Sequence, residues 1–216
     1  MSRLHAPVHA RSRRHQGGFT LIELLMGIVL SSIFALGLFA FFFSGVDSAR
    51  TSESQARAQA SGRTAIDRIT GDIRQSVSPN GGITAPVISL SPTAIEMYVD
   101  PSRATSATVP RPQKVRYSIV ANQLIREAAD PVGAVAPFTY GSYRQSEVLI
   151  EALSNGAIAA FTAAMEDGTA LPAIPTAAQT LDIAQISIRL LVSQKTGNKA
   201  TTLELTTDAA LRNAIL

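Results

Sequence analysis

Hydrophobic and polar positions divide the chain into three stretches. Residues 1–18 are polar and basic. Residues 24–43 then run for twenty positions without a charge. As a helix rising about 1.5 Å per residue, that run spans a bilayer core of roughly 30 Å. From residue 44 the composition turns polar, yet no proline appears until Pro79, so the helix is expected to continue. Ile66, Ile69, Ile73 and Val77 recur at steps of three, four and four, one stripe on a helical period. Glu53 and Arg57 stand four apart in the favourable order for a surface pair. Gly62 and Gly71 each cost about 1 kcal/mol relative to alanine, which packing of the isoleucine stripe must offset. Pro79-Asn80-Gly81-Gly82 marks the stop, predicting one helix of about 58 residues.

Beyond the stop the pattern shifts toward period two. Residues 87–90, 94–99, 114–120, 123–128 and 147–153 read as strands, with Val115, Tyr117 and Ile119 on one face and Lys114, Arg116 and Ser118 on the other. Ala121-Asn122 is a two-residue hairpin turn, after which Leu124 and Arg126 oppose Ile125 and Glu127. Residues 130–143 hold two prolines and two glycines and read as loop. Residues 157–165 suit a strand or a short helix. Residues 181–192 and 201–206 form a last hairpin across residues 195–199. Strands in succession without helices between them predict an antiparallel sheet, its inner face covering the isoleucine stripe. The expected fold class is α+β, a long N-terminal helix packed on a C-terminal antiparallel β-sheet.

Charge sharpens the picture. The net charge of +3 comes from residues 1–18, which hold Arg3, Arg11, Arg13, Arg14 and all three histidines but no acid. Without them, 15 Lys and Arg stand against 16 Asp and Glu. Basic residues before the apolar run keep that end in the cytoplasm and place the rest outside, in a single pass. Gly27 and Gly37 could bend the membrane helix or admit a neighbouring helix. A secretory signal has its small residues after its apolar core, whereas Gly17 and Gly18 come before this one. Glu23 is the anomaly, because a carboxylate at membrane depth costs several kcal/mol and calls for a partner.

The string Gly17-Gly18-Phe19-Thr20-Leu21-Ile22-Glu23-Leu24-Leu25, behind a basic leader, resembles the type IV prepilin signature. The resemblance implies cleavage by prepilin peptidase between Gly18 and Phe19, and N-methylation of Phe19. It implies that Glu23 meets the terminal ammonium of a neighbouring subunit during assembly, which suits a buried charge that needs a cation. The parts would be a cleaved leader at 1–18, a transmembrane half at 19–43, an exported amphipathic half at 44–78 and an antiparallel β domain at 79–216. The layout is similar to the larger minor subunits, J-type pseudopilins of type II secretion and PilW-like minor pilins. The implied partners are the prepilin peptidase, other pilin or pseudopilin subunits and the inner-membrane assembly platform. The implied location is the inner membrane and then an extracytoplasmic filament, near its tip. The alternative is an uncleaved membrane-anchored module whose exported sheet binds a ligand or DNA.

Chemistry elsewhere is sparse. There is no cysteine, and after residue 18 no histidine, which removes Cys–His and Ser–His–Asp sites and the usual zinc ligands. No enzyme activity and no cofactor are expected. Glu166-Asp167-Gly168 offers carboxylates to calcium but lacks alternating acids and reads as a turn. Arg103, Arg111, Lys114 and Arg116 cluster around Pro110 and Pro112. They could meet DNA phosphates, but a solvated sheet edge, where such residues discourage strand pairing, is the preferred reading. Phe138, Tyr140 and Tyr143 make a loop expected to pack on its own sheet.

Overall fold

The computed structural model describes residues 19–79, 84–101, 111–133, 136–196 and 199–211. The expected leader lies outside them, as do Asn80, Gly81 and Gly82 of the expected helix stop. The chain divides into two compact units, one ending at Ala49 and the other Arg50–Leu216. Helix α1, Leu21–Arg74, contributes to both.

In the first unit every residue from 19 to 45 is exposed. Leu21, Phe34 and Phe41 stand 72–81 % open and Leu36 70 %. A helix apolar on all sides needs an apolar surrounding. Among the described residues, α1 is the one helix long and apolar enough to cross a membrane.

The second unit is antiparallel throughout. Strands β1 (Val87–Ser91), β2 (Ala94–Val99), β3 (Gln113–Val120), β4 (Gln123–Ala129), β5 (Pro131–Val132), β6 (Thr139–Tyr140) and β7 (Gln145–Ile150) are followed by β8 (Phe161–Ala164), a 3-10 turn at Gln179–Asp182, β9 (Gln185–Thr196) and β10 (Lys199–Ala210). One sheet runs β1-β2-β3-β4-β7, a second β10-β9-β8, and β5-β6 is a small ribbon. The β3–β4 hairpin closes as expected, with Ala121 and Asn122 at φ 50 and 64, the left-handed pair of a type I′ turn. Glu53 and Arg57 form the expected pair at 2.5 Å, worth only a few tenths of a kcal/mol at such exposure.

The single expected sheet is two sheets around one core. Between β7 and β8 the chain substitutes side-chain bonds for a strand. Asn155 donates to the Arg189 carbonyl at 2.8 Å and accepts the Leu191 amide at 2.9 Å. The ambiguous 157–165 stretch is therefore loop and then strand. The loop expected over 130–143 contains the β5-β6 ribbon, and the strand expected at 181 starts at Gln185 because Leu181 and Asp182 lie in the 3-10 turn.

The buried face of α1 also differs from the simple stripe. Ala65, Ile69 and Ile73 are fully buried, with Gly62 and Asp72 on the same side, while Ile66 is only half-buried at its flank. Val77 lies past the helix. The Val77 amide bonds the Tyr98 carbonyl at 3.0 Å, and the Asp100 amide bonds the Gln75 carbonyl at 3.1 Å. These bonds to the end of β2 take the backbone out of the helix before Pro79 is reached.

Candidate assembly site

Helix α1 starts with a reciprocal cap. The Thr20 amide and hydroxyl both donate to Glu23 Oε2 at 3.2 Å, and the Glu23 amide donates to the Thr20 hydroxyl at 3.3 Å. This Thr-x-x-Glu capping box satisfies two amides that the first helical turn leaves bare. It also sets a carboxylate at the positive end of the helix dipole. Glu23 is exposed, and Phe19, Glu23, Gly27, Ser31 and Ala35 line one shallow groove at four-residue steps. A Cβ at Gly27 or Gly37 would meet nothing within 4 Å. Gly18, the other half of the expected cleavage pair, lies outside the described residues, and Phe19 is 86 % exposed.

The basic cluster is not at a sheet edge. Lys114 and Arg116 sit on β3, the middle strand of the five, and each is matched by a carboxylate on a neighbouring strand. Lys114 Nζ lies 3.0 Å from Glu96, and Arg116 donates twice to Glu127 Oε2 at 2.9 and 2.6 Å. The strand pairings that set Glu96 and Glu127 opposite Arg116, with Lys114 diagonal to Glu96, are invisible in linear sequence. Arg111 reaches the Gly133 carbonyl at 3.5 Å; Arg103 and Pro110 lie outside the described residues.

The aromatic loop folds onto this face, as expected. The Tyr143 ring lies 4.8 Å from Lys114 Nζ and 4.6 Å from Arg116 Cζ, cation–π distances, and the Tyr143 hydroxyl donates to Glu96. Tyr140 stacks at 5.2 Å on Tyr98 and donates to the Pro112 carbonyl at 2.9 Å. Burial pushes the Tyr140 phenol up to about 12. Burial works to raise the Glu96 carboxyl, but the Tyr143 and Lys114 hydrogen bonds and the Lys114 charge hold it below the usual range. Phe138 is half-buried.

Glu166 and Asp167 are exposed in a tight turn. Asp167 Oδ1 accepts the Thr169 amide at 2.8 Å, which lowers the carboxyl's pKa, and Gly168 takes φ 83. Among the described residues no three His, Cys, Asp or Glu side chains gather as a metal site.

Sequence reasoning missed a buried polar cluster. Asp72 Oδ2 accepts from the Tyr117 hydroxyl at 2.6 Å and from Arg126 Nε at 2.9 Å, and Arg126 Nε lies 3.2 Å from the Tyr117 oxygen. It ties α1 to β3 and β4. Burial, then the Asp72 charge, pushes the Tyr117 phenol far up. The signal was present: alternation put Arg126 on the Leu124 face, and Asp72 falls three residues after Ile69. Two opposite charges pointing at one core are a pair in waiting.

A family model described as the prokaryotic N-terminal methylation motif matches residues 13–39. No curated protein matches the chain. A methylation motif leading into an exposed apolar helix, whose second half packs on an antiparallel sheet, is the pilin plan, and in motif and architecture the chain resembles a type IV prepilin.

Proposed function

We propose that the chain is a minor pilin or pseudopilin, cut between Gly18 and Phe19, methylated on Phe19, and built into a filament near its tip through α1. The observation that carries this is Glu23, exposed at the head of an apolar helix beside the new amino terminus. In the membrane, the capping box gives the carboxylate hydrogen bonds, which carry no formal charge. In the filament, the terminal ammonium of a neighbouring subunit supplies one. The apolar residues 21–43 leave lipid and pack on neighbouring helices. The leader arginines support a cytoplasmic amino end and an exported β domain, and the prepilin peptidase and assembly platform are the implied partners. The matched cations of β3 give DNA little unpaired charge to bind there.

Glu23→Gln separates the two jobs. Glutamine keeps an acceptor for the Thr20 amide and loses the charge. The variant should insert and be cut normally yet be missing from filaments. Normal incorporation would rule out the charge-pairing role.

A further inference from the structure

Resting on the reading of the chain as a filament subunit, we propose that the outer edge of β10 docks an extended segment of another subunit, added as a further strand to the β10-β9-β8 sheet.

The two sides of β9 show what a covered edge looks like. Toward β8 its backbone is taken up along the strand. Phe161–Ala164 pairs with residues 185–188. Arg189 bonds the Ala160 carbonyl and Asn155, Leu191 bonds Asn155 and Ser154, and Ser193 bonds the Ala152 carbonyl. Toward β10 the register runs from Lys199↔Thr196 to Ala210↔Gln185 without a shift. Bonded and non-bonded pairs alternate along an antiparallel ladder. The Leu211 amide on the Ala184 carbonyl at 2.8 Å fixes the parity. Odd-numbered residues of β10 therefore bond β9. The amides and carbonyls of Thr202, Glu204, Thr206, Asp208 and Ala210 point to the outer edge, where no strand pairs among the described residues.

Two other edges are interrupted, and among the described residues this one is not. The β4–β7 pairing is broken by a register shift, as is β1–β2, and bulges of this kind blunt edge pairing. β10 has twelve residues, no proline, no glycine and no bulge. A long regular edge left open is a template for another strand.

The flanking side chains describe the occupant. On the core face Leu203 and Leu205 are only half-buried and pack at the margin of the core, so the added strand carries apolar residues at alternate positions. On the outer face stand Glu204 and Asp208. Arg189 meets Glu204 at 2.7 Å, while Asp208 accepts from the Ser187 hydroxyl. A Lys or Arg on the added strand suits Asp208. A second copy of β10 does not, because self-pairing lines four carboxylates along one seam.

The test places a photo-crosslinking residue at Thr202 or Thr206 in the full chain, in cells that make the filament, with Thr206→Pro as the paired variant. Proline at 206 removes an outward amide and spares every bond to β9. The purified Thr206→Pro chain should keep its melting temperature. Its incorporation into filaments should fall about tenfold or more, as loss of a strand-addition contact requires. Adducts from position 202 or 206 should map to an extended segment of another filament subunit. Wild-type incorporation of a folded Thr206→Pro chain would overturn the proposal. So would adducts only to a second copy, or none from either position. The crosslink is read in membranes as well as filaments. Adducts to another subunit's extended segment, with a wild-type chain absent from filaments, would therefore sink the filament reading and not the edge.

Discussion

The Tyr117 hydroxyl donates to Asp72 Oδ2 at 2.6 Å, joining the third strand of the sheet to the C-terminal half of the helix. Arg126 shares the same oxygen at 2.9 Å, so a single carboxylate oxygen fixes the helix against two strands. Asp72→Ala leaves the Arg126 guanidinium buried without its counter-charge and should cost about 3–5 kcal/mol. Tyr117→Phe removes one hydrogen bond and should cost about 1–3 kcal/mol. Denaturant unfolding of the purified variants measures both. A smaller loss for Asp72→Ala than for Tyr117→Phe would contradict the role given to the charge.

Packing of the helix rests on Ile69 and Ile73 more than on the neighbouring Ile66. Ile69→Ala opens a fully enclosed site and should cost about 2–5 kcal/mol. Ile66→Ala, at the flank, should cost less than half as much in the same unfolding experiment. Equal losses would restore the simple four-residue stripe.

At Gly62 the helix comes close to the second sheet. A Cβ there would sit 2.2 Å from Leu205 Cδ1 and 3.5 Å from Val192 Cγ2. The first atom is the end of a half-exposed side chain that can swing away, so Gly62→Ala should be near neutral, its clash offset by about 1 kcal/mol of helix propensity. Gly62→Val carries extra methyls toward Val192 and should cost about 1–3 kcal/mol. Melting temperatures of the two variants decide the point.

Glu96 gives the domain an acid-sensitive contact. Its folded-state pKa lies below the ordinary carboxylate value, so the unfolded chain binds its proton first as pH falls. The stabilisation is complete above the unfolded pKa and is lost as pH drops through the folded one, from about pH 5 downward. Tyr143→Phe, which removes a hydrogen bond to Glu96, should lower the neutral plateau relative to the acid end and so flatten that part of the stability–pH curve. An unchanged acid slope would mean that Tyr143 contributes nothing to holding the carboxylate ionised.

Much of the fold was legible because local signals agreed with the global result. The apolar run and the late first proline located the helix to within a turn at its C-terminal end, and the alternation of residues 114–128 located the central hairpin almost to the residue. What escaped was long-range. The matching of Lys114 by Glu96 and of Arg116 by Glu127 depends on strand order, so a neutralised sheet centre looked like a basic edge. Val77 fits the helical period, yet bonds to residues 98 and 100 end the helix first. Glu23 is legible as a carboxylate at the head of an apolar run. Its capping box with Thr20 went unread, although the two are three residues apart and their contact needs nothing beyond one turn of helix.

On the proposed function, Phe19 becomes the amino terminus of an assembled subunit. Mass spectrometry of the N-terminal peptide, from protein isolated from its own cells, reads that terminus. The expected peptide begins at N-methyl-Phe19, from a chain about 2 kDa lighter than the 22.8 kDa precursor. An intact Met1 or Ser2 terminus, with an active prepilin peptidase in the same cells, would contradict it and leave a fixed membrane anchor bearing a binding domain.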